Sequence, residues 1–300
     1  MASAAVRLRY LRDLEAIIRK AERLDDRTLR GLFSTLDQAR KEVLAQVVSS
    51  DWGLAHFRTL QARIERAMSE LSTELRRDLG RYQDQKWGDG SKLTDELLAK
   101  YGGEAERLHI PLDRRGLAVL KDFSADLIVQ VPTETIADVS TRLRLGMLAG
   151  KSSHETIREI GRALVDEEGN PAPGVWGDVL TRAEVVYRTE ANRVYSVATE
   201  ARMRQHDEKR PGLRKLWMHS GRPAGRASHI QAGEDYAPGG DPGPIPVDEL
   251  FTLHVGSDES SGSLPAGEYK CSYPRDPRLP AGLSVGCGCA TAPWREAWGE

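Results

Sequence analysis

The first 130 residues contain almost no proline. Pro111 is the only one there, whereas residues 206–300 contain eleven. Because proline interrupts helices and favours turns, the last third of the chain cannot be mainly helical. The sequence also lacks an apolar run of the roughly 18–20 residues that a membrane span requires. Three arginines stand within the first twelve residues, where a signal peptide needs its apolar stretch. We therefore expect a chain that neither spans a membrane nor is secreted conventionally.

Neither sign of charge is in excess. The 300 residues include 43 basic and 45 acidic side chains, so the formal net charge is −2. Residues 1–130, 131–205 and 206–300 have net charges of +2, −1 and −3, and none of them is a basic arm. This balance excludes a global attraction to nucleic acid or to an acidic membrane surface. Any such binding must be local.

Cysteine is scarce and confined to one region. The three cysteines, Cys271, Cys287 and Cys289, all lie in the last third of the chain. Any thiol or metal chemistry therefore belongs to that segment.

Apolar residues in the first 130 positions recur at steps of three and four, which predicts long helices. A second helix would begin near Asp26 or Thr28, and a third would run from about Leu54 to Tyr82. Gly53, Gly88 and Gly90 are expected to break these helices.

Three more helical signals lie between residues 131 and 205. Thr133 is a candidate cap for a helix that ends at Gly150. Ser152 is followed three residues later by Glu155, the pattern of a capping box. Asp178 is a candidate cap for a long helix that runs to about Gln205.

These patterns predict an α+β chain: a long-helix N-terminal region, then a helical segment and a small β-rich, Gly/Pro-rich C-terminal module. The length favours two domains. We assign residues 1–130 to the helical N-terminal region and residues 131–300 to the second domain. Within the second domain, helices occupy 133–205 and a β/loop module occupies 206–300.

The predicted long helix contains Arg188 and Glu190. Residues two apart point in nearly opposite directions, so these two cannot pair along the helix. One interpretation is ordinary solvated pairing, with Glu184 or Asn192 beside Arg188 and with Arg193 beside Glu190. The other is that one of the pair docks against the C-terminal segment as a buried, hydrogen-bonded charge.

Short motifs follow one another over residues 135–292. An Arg-Thr-Glu helix precedes a Trp-containing strand, an Arg-x-x-His segment, a Tyr-Pro-x-Asp-Pro turn and a closing Cys-x-Cys pair. In this order they resemble the phage head morphogenesis family, the Mu F-like minor head proteins of tailed bacteriophages. The resemblance covers about half of the chain, and the common order of the motifs carries it. The residues concerned are Arg188, Glu190, Trp217, Arg226, His229, Tyr273, Asp276, Cys287 and Cys289.

The resemblance implies a structural component of the head of a tailed double-stranded DNA phage, present in few copies near the portal. Its expected partners are the portal protein, the major capsid protein or both, and several copies could surround the portal. Contact with packaged DNA could occur, and no membrane is involved. The expected location is the virion, and the bacterial host cytoplasm during assembly. The resemblance implies no reaction, so we do not expect an enzyme.

Cys287 and Cys289 project to the same side of an extended segment, which suits two thiolates on one ion. Zinc takes four nitrogen or sulfur ligands in a tetrahedron, and the further candidate ligands are His229, His219 and Cys271. A structural zinc, held chiefly by Cys287, Cys289 and His229, is one interpretation. Buried thiols, with His229 hydrogen-bonded inside the β-rich module, are a second. A disulfide is a third, which the reducing bacterial cytosol disfavours.

An enzyme is the alternative class of function. Arg226, His229, Asp235 and the thiols could build a zinc-dependent nucleic-acid-processing or toxin-like module that activates water. The sequence contains no His-Glu-x-x-His, no phosphate-binding glycine loop and no Gly-x-Ser-x-Gly motif. A third class, a DNA-binding packaging accessory, is disfavoured by the near-zero net charge of every segment.

Overall fold

The computed structural model describes residues 4–22, 26–49, 52–108, 110–221, 225–261 and 264–298. The fold is α+β, as predicted, with long helices first and small β-sheets in the C-terminal third. The helices are α1 (Ala4–Glu22), α2 (Asp26–Ser49), α3 (Phe57–Gly102), α4 (Arg115–Leu148), α5 (Ser153–Ile160), α6 (Val175–Lys209), α7 (Ala227–Asp235) and α8 (Ala281–Ser284). The strands are β1 (Arg214–Met218), β2 (Ile245–Pro246), β3 (Phe251–Val255), β4 (Gly267–Cys271) and β5 (Ala290–Trp294). Short 3₁₀ turns lie at Leu54–His56 and Glu104–Glu106.

The chain forms two compact units, each assembled from separate stretches of sequence. Unit 1 comprises residues 1–23, 83–120 and 188–300, and unit 2 comprises residues 24–82 and 121–187. Helices α3, α4 and α6 each contribute residues to both units. The assignment of residues 1–130 to a separate domain stays a prediction; residue 130 itself lies inside α4.

Unit 1 contains both sheets. Strand β1 is the centre of a three-stranded antiparallel sheet of order β2-β1-β5, with Trp217 opposite Thr291. Strands β3 and β4 form an antiparallel pair in which Phe251 lies opposite Cys271. Helix α7 packs against β1 and β3. Alternate strand residues are therefore buried, as Phe251, Leu253 and Val255 are in β3.

Two hydrophobic clusters in unit 1 hold these elements. In the first, Tyr10 of α1 is fully buried, donates its hydroxyl to the Pro293 carbonyl and meets the edge of Trp294 with ring centroids 5.3 Å apart. In the second, Trp217 and Phe251 meet edge to face with centroids 5.4 Å apart, and Cys287 and Cys289 belong to it. Edge-to-face aromatic packing gives such clusters a fixed geometry.

Unit 2 is helical. Its core is formed by apolar stripes of α2, α3 and α4, including Leu36, Ile64 and Leu143, which are all fully buried. The Tyr187 hydroxyl of α6 donates to the Leu75 carbonyl at 3.0 Å. The indole of Trp52 donates to the Lys151 carbonyl at 2.6 Å. No helix in the described part of the chain is long and apolar enough to cross a bilayer.

The expectation that Gly88 and Gly90 break the helical pattern is wrong, because α3 continues through both of them to Gly102. Gly90 is needed for packing against α6 instead. A Cβ atom at Gly90 would lie 2.4 Å from the Tyr195 carbonyl oxygen. The Thr199 hydroxyl of α6 also bonds to α3 at this point and donates to the Gly90 carbonyl at 3.2 Å. The glycine therefore permits two helix backbones to approach closely.

The prediction that a helix begins at Thr133 is also wrong. Helix α4 runs from Arg115 to Leu148 and contains Pro132 in its interior. The Thr133 hydroxyl does not cap a helix end; it donates to the Val129 carbonyl at 2.9 Å inside the helix. The Thr135 hydroxyl does the same to the Val131 carbonyl at 2.7 Å. Pro132 has no N–H to donate to the Ile128 carbonyl, and the two threonine hydroxyls bond to carbonyls beside that one.

Of two other predicted helix starts, one is confirmed and one is displaced along the chain. The capping box is confirmed: the Ser152 hydroxyl accepts from the Glu155 amide, and the Glu155 carboxylate accepts from the Ser152 amide. The long helix α6 begins at Val175, three residues before the predicted cap, so Asp178 lies in its first turn. A carboxylate there is favoured by the helix dipole.

We predict opposite effects for two alanine substitutions in α3. Gly90→Ala should lower the free energy of unfolding by about 2 kcal/mol or more, because the new Cβ overlaps the Tyr195 carbonyl oxygen. Gly88→Ala is the matched control: nothing lies within 4 Å of its Cβ position, so helix propensity should raise stability by up to about 1 kcal/mol. Urea unfolding followed by circular dichroism measures both. A Gly90→Ala variant as stable as Gly88→Ala would contradict the close approach.

Candidate metal centre

Three potential metal ligands meet in unit 1. The ligand atoms of His229, Cys287 and Cys289 all lie within 4.8 Å of one another, and all three residues are buried. Nδ1 of His229 is 3.4 Å from Sγ of Cys287 and 3.5 Å from Sγ of Cys289. The imidazole nitrogen thus faces both sulfurs. This buried group could hold a metal ion.

Helix α7 positions the imidazole. The helix begins after Arg226, whose carbonyl accepts the His229 amide at 3.1 Å. The His229 ring then meets the edge of Trp217 on β1, with centroids 5.4 Å apart. Nε2 of His229 is buried without a hydrogen-bond partner in the described part of the chain. The ring is therefore fixed by packing, and Nδ1 is the atom that it presents to the sulfurs.

The Cys-x-Cys segment lies between α8 and β5. It begins at Gly286, whose φ of 67° is in the left-handed region that favours glycine. The Gly286 amide donates to the Thr189 hydroxyl of α6 at 3.2 Å. The Cys287 amide bonds to the Ser284 carbonyl at 3.3 Å, and the Cys289 amide to Sγ of Cys287 at 3.4 Å. Local backbone bonds thus turn the two sulfurs toward each other.

The guanidinium of Arg275 binds the backbone of the Cys-x-Cys segment. Its Nη1 donates to the Cys287 carbonyl, and its Nη2 donates to the Cys289 carbonyl at 2.8 Å and to the Ser196 hydroxyl at 3.0 Å. Arg275 is 1% exposed. A buried guanidinium fixed by three acceptors is a rigid clamp on both cysteine backbones.

The Arg275 backbone is itself held in an unusual conformation. Its φ is 68°, the only positive value among non-glycine residues in the described part of the chain. The Arg275 carbonyl accepts from Nε of Arg193 at 2.9 Å. Arg193 also donates to the buried carboxylate of Glu190, three residues before it. A strained backbone persists where several contacts fix it, as they do here.

Glu190 and Arg193 bear on the two interpretations of the Arg-Thr-Glu motif. Glu190 pairs with Arg193 along the helix, as the solvated interpretation proposed, but the pair is buried. Arg193 reaches the C-terminal segment, where its Nε donates to the Arg275 carbonyl at 2.9 Å. Arg188 is half-buried in α6. Glu190 and Arg193 therefore form a buried ion pair, and Arg193 also docks against the C-terminal segment.

The Tyr-Pro-x-Asp-Pro turn carries Arg275 and is held by Asp276. The Asp276 carboxylate accepts hydrogen bonds from the Ser272 amide at 2.9 Å and from the amide and guanidinium of Arg278. Burial alone would raise the pKa of Asp276, but these hydrogen bonds outweigh it and lower that pKa. Burial raises the pKa of Tyr273 to about 12. Asp276 is thus the charged acceptor that closes the turn.

The two thiols of the Cys-x-Cys segment differ in acidity. The hydrogen bond from Cys289 lowers the pKa of Cys287, and it outweighs the burial that opposes the shift. The same bond and burial raise the pKa of Cys289. Burial also raises the pKa of Cys271. The contact with His229 further favours the Cys287 thiolate, which is the form that binds metals.

The predicted ligands are brought together only in part. All three cysteines are free thiols. Cys271 is fully buried on β4, and it is outside the group formed by His229, Cys287 and Cys289. His219 lies just after β1 and lines the same pocket as the group. Its Nδ1 accepts from the Gly221 amide at 3.1 Å.

That pocket has a volume of about 210 Å³ and lies beside the three ligands. Arg226 forms part of its wall, and its Nη2 donates to the Val285 carbonyl at 2.7 Å. The wall is formed by His219, Ser220, Gly225, Arg226, Gly286 and Gly288, together with the three ligands themselves.

Sequence reasoning missed the clamp residues. Arg275 occupied the variable position of the Tyr-Pro-x-Asp-Pro motif, and Ser196 carried no signal at all. Arg193 was noted only as a helix neighbour of Glu190. A positively charged residue inside a turn that also contains two prolines was the one available indication for Arg275.

Comparison of the chain with protein-family models, with curated proteins and with solved structures gave no match.

We predict that the purified full chain binds one divalent metal ion, because it contains one such buried ligand group in its described part. The Cys287→Ser, Cys289→Ser double variant should lose nearly all of the metal, since Ser is a poor substitute for a thiolate. Cys271→Ser should keep it, as this thiol lies outside the group. Metal content measured by plasma mass spectrometry tests this. A wild-type chain that stays metal-free in excess metal would favour a simple thiol–imidazole hydrogen bond instead.

Proposed function

We propose that this chain is a minor head protein of a tailed double-stranded DNA bacteriophage. It acts as a structural component in head morphogenesis, in few copies near the portal. Its partners are the portal protein, the major capsid protein or both, and contact with packaged DNA belongs to the same proposal. It lies in the virion, and in the host cytoplasm during assembly. The proposal rests on the ordered motifs that resemble the Mu F-like family.

One observation carries this proposal: motif residues far apart in sequence are joined by contacts in unit 1. Glu190 pairs with Arg193, Arg193 bonds to the Arg275 carbonyl, and Arg275 bonds to the Cys287 and Cys289 carbonyls. The cysteines face His229, which packs on Trp217. Motifs that contribute to one buried network are expected to recur together as a module, and this agrees with their common order.

We also propose that the metal ion is zinc and that it stabilises the fold. Zn–S bonds of about 2.3 Å and Zn–N bonds of about 2.0–2.1 Å in a tetrahedron place sulfur and nitrogen ligands about 3.5 Å apart. The two distances from Nδ1 of His229 to the sulfurs, 3.4 and 3.5 Å, fit this spacing. Two thiolates and an imidazole are also a donor set that zinc favours. A segment rich in Gly and Pro gains stability from such a cross-link.

The pocket beside the ligands favours a second candidate, a zinc-dependent nucleic-acid-processing or toxin-like enzyme. A catalytic zinc keeps a coordination position open for water or substrate, and His219 and Arg226 line the space where these would bind. An activity on nucleic acid that His229→Ala abolishes would support this candidate over the structural one.

The head-protein proposal predicts binding to the portal protein of the phage or prophage that encodes the chain. Co-expressed full chain and portal should co-elute from a gel-filtration column, and an unrelated portal protein should not retain the chain. Quantitative mass spectrometry of purified heads should find the chain at fewer copies than the major capsid protein. Absence from purified heads, together with no binding to the portal or capsid protein, would contradict the proposal.

A further inference from the structure

We infer that the fourth coordination position of the metal opens into the pocket beside His229 and binds a small anion that Arg226 helps to hold. This inference rests on the proposed metal site and extends it to a ligand that no protein side chain supplies. The chemical class is a small anion that coordinates the metal through one atom.

The ligand set has three members. In the described part of the chain, no fourth His, Cys, Asp or Glu places a donor atom with the group of His229, Cys287 and Cys289. His219 lines the same pocket, but its Nδ1 accepts from the Gly221 amide at 3.1 Å. A neutral ring with this bond carries its proton on Nε2, so neither nitrogen offers a free lone pair to the metal. A zinc ion with three protein ligands completes its tetrahedron with an exogenous fourth ligand. The three protein bonds would still cross-link α7 to the Cys-x-Cys segment, which is the stabilising role given to the metal under the proposed function.

The pocket provides the space for that ligand. Its volume of about 210 Å³ exceeds the ~30 Å³ that one water molecule occupies in the liquid, so it can admit an anion of several atoms. The metal ligands form part of its wall, and glycines at 286 and 288 border it without side chains. A ligand in this space can therefore reach the metal.

The charges around the pocket favour an anion. A divalent ion with two thiolates is neutral, and the Arg226 guanidinium adds a positive charge in the wall. One of its N–H donors bonds to the Val285 carbonyl, and a guanidinium has five donors. The carboxylate of Glu259 accepts hydrogen bonds from the amide and hydroxyl of Ser228. Glu259 does not line the pocket, so it does not place a negative charge in the wall. Among the described residues of the wall, Arg226 is thus the charged side chain that an anion in the pocket would meet.

Cobalt substitution of the full chain tests the inference with azide as the probe. Co(II) bound by thiolates in a tetrahedron has visible absorption bands that respond to a change of ligand. We expect azide to shift these bands saturably. Arg226→Gln should weaken azide binding by about tenfold without changing the cobalt content or the azide-free spectrum. Arg226→Lys should bind azide with intermediate affinity, because it keeps the charge but not the planar donors.

The outcomes separate this inference from the others. If cobalt binds but azide leaves the bands unchanged, the position is closed and the inference is wrong. If His219→Ala shifts the azide-free bands and lowers cobalt affinity, His219 is the fourth ligand and the inference is wrong. If azide binds the Arg226→Gln chain as tightly as wild type, the role of Arg226 is wrong. If no cobalt binds, both this inference and the proposed metal site fail, while the portal experiment still decides the head-protein proposal.

Discussion

The C-terminal module depends on one buried cation, the guanidinium of Arg275. Its bonds to the carbonyls of Cys287 and Cys289 and to the Ser196 hydroxyl join the Cys-x-Cys segment to α6 within unit 1. Burying a charge raises the free energy of the fold unless hydrogen bonds compensate it. Removing its partners therefore leaves an uncompensated buried charge, which destabilises the fold. The segment therefore cannot move away from Arg275 without a large loss of stability. That constraint fixes where the two sulfurs can point.

The surrounding contacts all serve to hold the clamp in place. Arg193 binds the strained backbone of Arg275, and Glu190 neutralises Arg193. Asp276 closes the turn on which Arg275 lies. The imidazole of His229 approaches the sulfurs from α7, an element that is fixed independently against β1 and β3. The Arg275 clamp thus fixes the two sulfurs and α7 fixes the imidazole. Such preorganised ligands favour tight binding of a metal ion.

Local patterns predicted local structure well. The capping box at Ser152 and Glu155, the proline-rich β module and the same-side sulfurs follow from short-range rules, and the α+β class follows from their sum. Tertiary contacts overrode those rules elsewhere. Helix α3 continues through Gly90, where the missing Cβ leaves room for the Tyr195 carbonyl of α6, and Thr133 lies inside α4, where its hydroxyl bonds to the helix backbone. The role of Arg275 does not follow from its charge between the two prolines of the turn, because it depends on carbonyls that only the folded chain brings together.

The zinc proposal depends on one claim, that the Cys-x-Cys segment binds a metal ion together with His229 from a separate part of unit 1. X-ray absorption spectroscopy of the zinc-loaded full chain tests it most directly, because it reports the atoms bound to the metal without any substitution. We predict two sulfur atoms at about 2.3 Å and two nitrogen or oxygen atoms at about 2.0–2.1 Å, one of them from an imidazole. A first shell without sulfur, or one made of sulfur alone, would contradict it.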